Sequence, residues 1–215
     1  MTTPRHPLQP AAKLVAGELC LDFANTADWH ASAQPRETLT SYGTLVSWAA
    51  RAGGLDASTA RLLLREAAKH PIAASGALHR AISVREAIYR IALGLLERQR
   101  PHSADLETLN RALASALPHR LVAAGHGGFT WRWEPGSRAL DQMLWPVLWS
   151  AADLLTSEKR HRIGQCADDR GCGWLFLDTT RNHSRRWCDM EDCGNRAKAR
   201  RHYRRSRGRR PGDRT

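Results

Sequence analysis

Apolar residues recur at helical spacing through most of the chain up to about residue 157. From Thr38 to Ala52 the residues Leu39, Tyr42, Leu45, Val46 and Ala49 share one face, and Gly53 with Gly54 supplies a stop. Asp56 is placed to cap a helix from about Ala57 to Lys69, with Leu62, Leu63 and Leu64 at its centre and Pro71 beyond its end. The longest periodic stretch runs from Ser75 to Arg100, where Leu78, Ile82, Arg85, Tyr89, Ala92 and Leu96, flanked by Ile88, Ile91 and Leu95, mark a broad face; this is the predicted central helix of the core. Ser103 is read as the cap of another helix carrying Leu106, Leu109, Leu113 and Leu117, closed by Pro118. Ser137 is read as the cap of a last one reaching about Glu158, with Leu144, Leu148, Ala151 and Leu155 inward and Pro146 as a kink.

Two stretches depart from that period. Leu121 to Trp133, with Gly125, Gly127 and Gly128 at its middle and Phe129, Trp131 and Trp133 alternating, reads as a β-hairpin. Gly17 to Thr26 alternates Leu19, Leu21 and Phe23, so it fits a short strand or the start of a helix. Residues 1–17, with Pro4, Pro7 and Pro10, read as a loose arm. The pattern therefore predicts a mainly helical domain over 1–157, a linker over 158–165, and a separate segment after it.

Composition sharpens the second half. The 215 residues carry 33 Lys+Arg against 21 Asp+Glu, a formal net charge of +12, with 42% hydrophobic residues. That is a globular composition, and no apolar run reaches the ~18 residues a membrane-spanning helix needs. The N-terminus lacks the apolar stretch of a secretory signal, so a cytoplasmic, nucleoid-associated protein is expected. From Gly194 to Thr215 stand ten Lys+Arg against the single acid Asp213, which places +9 in the last 22 residues and leaves +3 for the rest. Charge so concentrated points to a polyanion, DNA first and RNA second.

Cysteines are just as uneven. Cys20 stands apart, a small buried hydrophobe by expectation, whereas Cys166, Cys172, Cys188 and Cys193 are spaced C-x5-C-x15-C-x4-C. In an intracellular chain this spacing favours one structural, closed four-thiolate Zn²⁺ site over disulfides, a redox-labile site or an iron–sulfur cluster. His183, in a predicted turn, is an alternative ligand or a phosphate contact. Cys172 with Gly173 reads as a metal-binding knuckle, residues 174–177 as a strand, 185–188 as its return strand, and Cys193-Gly194-Asn195-Arg196 as the opening of a helix, an order of the treble-clef kind. On that helix, Ala199, His202, Tyr203 and Ser206 are expected to pack on Trp174, Phe176 and Trp187, with arginines on the other side. Nothing in the chain has the spacing of a catalytic motif, so no enzyme is expected.

These residues resemble the CGNR zinc finger, of which Cys193-Gly194-Asn195-Arg196 is the name-giving tetrapeptide. Cys166, Cys172, Cys188 and the Phe-Leu-Asp-Thr-Thr-Arg-Asn run over 176–182 are similar to the family's pattern. The Leu21-Asp-Phe-Ala-Asn-Thr26 segment and the helices to about 155 resemble the ABATE domain that precedes that finger in bacterial stress-related transcription regulators. The resemblance implies an α+β, mainly α protein with a treble-clef-like finger over 166–207, a disordered basic tail over 208–215, and a zinc-containing DNA-binding regulator. Arg185, Arg186, Arg196, Lys198, Arg200, Arg201, Arg204 and Arg205 are the candidate nucleic-acid contacts. Asp22, Asn25 and Thr26 are either local capping groups or the lining of a ligand pocket in a domain that senses a small molecule or forms a homodimer. Two alternatives stand beside this reading: an RNA-binding or ribosome-associated zinc module, and a ligand-binding domain whose finger is a protein-interaction adaptor.

Overall fold

Helices dominate the computed structural model, which describes residues 13–125 and 127–208. Most of the expected N-terminal arm, and the basic tail from residue 209, lie outside the described residues. In chain order the elements are α1 (Leu19–Ala24), β1 (Ala27–Asp28), β2 (Arg36–Glu37), α2 (Tyr42–Arg51), α3 (Ala57–Lys69), α4 (Pro71–Leu96) and α5 (Ser103–Ala116). The hairpin β3 (Arg120–Gly125) and β4 (Gly128–Trp133) follows, then α6 (Leu144–Thr156), β5 (Ile163–Gln165), β6 (Leu175–Leu177) and α7 (Asn195–Gly208). The strands form three antiparallel pairs, β1 with β2, β3 with β4, and β5 with β6.

Local chemistry accounts for several boundaries. The Asp56 carboxylate accepts from the backbone N–H of Ser58 and Thr59, both at 2.8 Å, and fixes the start of α3. α3 ends at Lys69, before Pro71 as expected, and Pro71 also opens α4 at a position where its missing N–H costs no hydrogen bond. Residues 19–24 resolve as helix rather than strand. Ser103 is already helical and makes no side-chain cap, with His102 in the capping position. Ser137 caps only a local turn, through the Ala139 N–H at 3.2 Å, and α6 begins seven residues later. Pro146 therefore falls in the first turn of α6, where an N–H has no intrahelical acceptor, so it is not the mid-helix break expected of it.

One core joins the helices α1–α6 to β5 and β6, and a second, smaller cluster gathers Phe176 with the four clustered cysteines. Leu21 and Phe23 of α1, Leu45 and Trp48 of α2, Leu63 of α3, Ile88 and Ile91 of α4, Leu109 of α5, and Leu148 and Leu154 of α6 are buried together with Ile163, Leu175 and Leu177 of β5 and β6. The strand that pairs with β6 is β5, in register Ile163↔Leu177, Gly164↔Phe176 and Gln165↔Leu175. It occupies the stretch read as a linker, and residues 185–188, read as the return strand, are irregular. Sequence-distant strands choose partners by shared burial, and the apolar Ile163 buries on the helices where Arg185 and Arg186 could not.

The tryptophans are largely used in packing. The Arg120 guanidinium lies over Trp133 at 4.4 Å and Trp149 at 4.5 Å, pinning the β3–β4 hairpin to α6, while His119 stacks on Trp145 at 4.0 Å. No helix among the described residues is long and apolar enough to cross a membrane.

Candidate metal centre and its basic helix

The four clustered cysteines converge from four places along the segment. Cys166 follows β5, Cys172 precedes β6, Cys188 ends the irregular return segment, and Cys193 lies in a single π-helical turn, Met190–Gly194, that leads into α7. All four are buried, and their sulfurs lie within 4.8 Å of one another. Cys172 and Cys188 are 3.7 Å apart and Cys188 and Cys193 3.6 Å, close to the ~3.8 Å edge of a tetrahedron built on a Zn–S distance of about 2.3 Å. Hydrogen bonds from Cys172, Cys188 and Cys193 push the Cys166 thiol far down, whereas the neighbouring Cys166 and Cys172 sulfurs, together with burial, push Cys188 and Cys193 up, so a full set of thiolates requires a cation among them. The donor set, its closure and its burial fit one structural zinc ion. Cys20 is different: burial pushes its thiol up to about 12, against a hydrogen bond from Ser150, and it stays a neutral core residue. His183 is exposed in a turn with φ of 48° and is outside the cluster.

Two glycines set the close approaches. Gly173 has φ of +69°, and a Cβ there would meet Ala31 N and Cβ at 2.6 Å. In that position the knuckle is pressed against the β1–β2 loop, where the His30 N–H donates to the Cys172 carbonyl at 3.0 Å. A Cβ at Gly194 would crowd the Met190 sulfur and come within 3.2 Å of the Trp187 ring, so a larger residue there requires the Met190 side chain to move. Arg196, its last residue, donates to the Cys193 sulfur at 2.8 Å and to Asp168 at 3.4 Å, and lies 5.5 Å from the Trp29 ring. A guanidinium there offsets the negative charge that four thiolates leave around a divalent ion.

Asp168, just after Cys166, is an organising residue that sequence reasoning passed over. Its carboxylate is fully buried and bonds Arg170, Arg196 and Arg200, while Asp169 pairs with Arg200 at 2.6 Å and with Arg204 at 3.9 Å. Burial alone would raise the Asp168 carboxyl, but the hydrogen bonds from Arg170 and the charge of Arg200 hold it below its ordinary value. The visible signal was two adjacent acids lying between the first two cysteines of a strongly basic segment.

This clamp turns α7 over. Arg196, Ala197 and Arg200 are half-buried, whereas Ala199, His202, Tyr203 and Ser206, the face expected to pack, are exposed. Lys198, Arg201 and Arg205 are exposed at spacing i, i+3, i+7, and no acid among the described residues pairs with them. Arg186 is exposed with its guanidinium 5.5 Å from the Trp187 ring. Arg185 points the other way: it donates to the carbonyls of Val15, Leu177, Trp187 and Cys188 and lies over Phe176 at 4.4 Å. The eight candidate contacts thus divide into outward cations and cations spent on the fold.

The Asp22–Thr26 segment is bound up internally. Asp22 accepts from the N–H groups of Val15 and Ala16, both at 2.9 Å; burial raises its carboxyl, and those two donors oppose the rise. Asn25 donates to the Leu175 carbonyl at 2.9 Å and accepts from the Leu175 N–H at 2.7 Å. Thr26 donates to the Phe23 carbonyl at 2.8 Å. None of the three lines the cavity between α2 and the metal centre; Asn25 caps the outer edge of β6, and Asp22 and Thr26 brace the two ends of α1. A second buried network ties α4 to the knuckle: Arg85 holds Glu37 with two bonds of 2.7 Å, Glu86 bonds His30 at 3.0 Å, and Tyr89 donates to the Gly173 carbonyl at 3.1 Å.

Comparison with known proteins agrees with this geometry. The family model described as ABATE, "Putative stress-induced transcription regulator", matches residues 17–158, and the model described as CGNR zinc finger matches residues 162–206. No curated protein matches the chain.

Proposed function

Since the chain belongs to the ABATE family of transcription regulators and ends in a CGNR zinc finger, we propose that it is a nucleoid-associated regulator that grips duplex DNA with the outward face of α7. The observation that carries the reading is the division of labour among the basic residues. Acids next to the metal centre hold Arg196 and Arg200 against the body, and Lys198, Arg201 and Arg205 are left as a row of unpaired cations on one side of a helix. Such a row suits phosphate contact, and an arginine within it can reach guanine O6 and N7 in the major groove. Zinc acts at a distance in this scheme: it fastens the N-terminal end of α7 and takes no part in contact. Arg185 is dropped from the surface on the strength of its four carbonyl partners.

Fluorescence anisotropy of the zinc-loaded full chain on duplex DNA, titrated across salt, tests the proposal. Lys198→Ala, Arg201→Ala and Arg205→Ala should each lower the salt slope by about one, with zinc content unchanged. Tighter binding to structured RNA than to duplex DNA would replace the reading with the RNA-binding one, and absence of binding to either at low salt would refute it.

A further inference from the structure

A cavity of about 540 Å³ lies between α2 and the metal centre. Its size is that of a small-molecule site. One wall is α2, with Ser47, Trp48 and Arg51; the opposite wall includes Trp174 and the zinc-side residues Cys172 and Cys193, and Trp29 also lines the space. Three indole rings around one space suit a flat apolar body.

The polar groups on the walls determine what such a body must carry. Most of the lining charges already have partners: Arg36 bonds Asp28, Lys13 bonds Asp189 and Asp192 at 2.8 and 2.9 Å, and Arg196 bonds Asp168 and the Cys193 sulfur. Arg51 is the exception. Its guanidinium makes one long bond, 3.4 Å to the Ser47 carbonyl within its own helix, and no acid among the described residues pairs with it. Trp48 is 2% exposed, and its indole N–H has no hydrogen-bond partner. Arg51 is therefore the spare donor of the cavity; its lining acids are all paired, and the thiolates of the zinc-side wall are met by the metal and by Arg196. A cationic guest, although drawn to tryptophan faces, would meet Arg36, Arg51, Lys13 and Arg196 with every lining acid already neutralised.

We propose that this cavity is a binding site for a planar aromatic carboxylate, its ring held among Trp29, Trp48 and Trp174 and its carboxylate on Arg51. The site is distinct from the Asp22–Thr26 segment, and it does not depend on nucleic-acid binding. An occupant touches both α2 and the zinc-side wall.

Calorimetric titration of the zinc-loaded full chain tests it, with indole-3-carboxylate and 1-naphthoate as probes and indole-3-carboxamide and benzyltrimethylammonium as controls. The two carboxylates should bind with quenching of tryptophan emission, and the amide at least tenfold more weakly. Arg51→Ala, on an exposed position of α2, should keep its zinc and melting temperature, lose at least tenfold in carboxylate affinity, and no longer separate acid from amide. No binding of either acid at millimolar concentration, equal binding of acid and amide by the wild type, or preference for the ammonium compound would each overturn the proposal.

Discussion

Asn25 gives the most direct measure of how the helical body and the zinc segment depend on one another. Its amide takes both backbone groups of Leu175, mimicking a third strand along the outer edge of β6, and both residues are buried, at 1% and 0% exposure. Asn25→Ala strands one donor and one acceptor where water cannot reach them. At about 1–3 kcal/mol for each group left unsatisfied, the loss is roughly 2–6 kcal/mol. For a chain of this size, about 3 kcal/mol corresponds to a fall in Tm of roughly 6–12 °C. Urea denaturation followed by circular dichroism, with zinc content measured on the same samples, reads it out. Asn25→Asp keeps the acceptor for the Leu175 N–H but sets a carboxylate against the Leu175 carbonyl, so it should be no milder than alanine despite its identical shape. A loss below about 0.5 kcal/mol for the alanine variant would refute the argument, because that is the range of substitutions at exposed positions away from such features. The same β6 strand links Cys172 to the core, and unfolding should accordingly be one transition with zinc lost in it, not two.

Two other outcomes follow from the same contacts. Chelation of the zinc-loaded protein should make four thiols per chain reactive toward a disulfide reagent at neutral pH, while Cys20, buried with its thiol pushed up to about 12, reacts only after denaturation; a fifth fast thiol would contradict the buried placement. Burial would raise the Glu86 carboxyl, but hydrogen bonds from His30 and Arg85 bring it down to about 2, so its contribution to stability is fully present above the unfolded value near 4.5 and is lost as pH falls through 2. Glu86→Gln should therefore cost about 1–3 kcal/mol at pH 7 by denaturant titration, with the gap to wild type closing below about pH 4.5; a gap independent of pH would assign the effect to packing.

Much of the fold was written in local pattern. The start of α3 at Asp56, the presence of a long central helix, though α4 runs from Pro71 to Leu96 and not from Ser75 to Arg100, and the β3–β4 hairpin are properties of short stretches, because capping, apolar period and strand alternation each act within a few residues. The four ligands were legible for the same reason, since thiolate chemistry and spacing restrict them to a closed site. The partner of β6 was not legible, nor was the role of Asn25, because both depend on which distant surfaces bury against each other. The direction in which α7 faces escaped the helical projection for an electrostatic reason. Periodicity assumes that the apolar side turns inward, but a fully buried carboxylate at Asp168 rewards guanidinium groups more than Ala199 and Tyr203 could reward burial. By itself the sequence determined which elements form and that a basic helix follows a zinc site. Only the tertiary structure decided which arginines are spent holding that helix and which are left for a partner, because that depends on where Asp168, Asp169 and four backbone carbonyls come to lie in space.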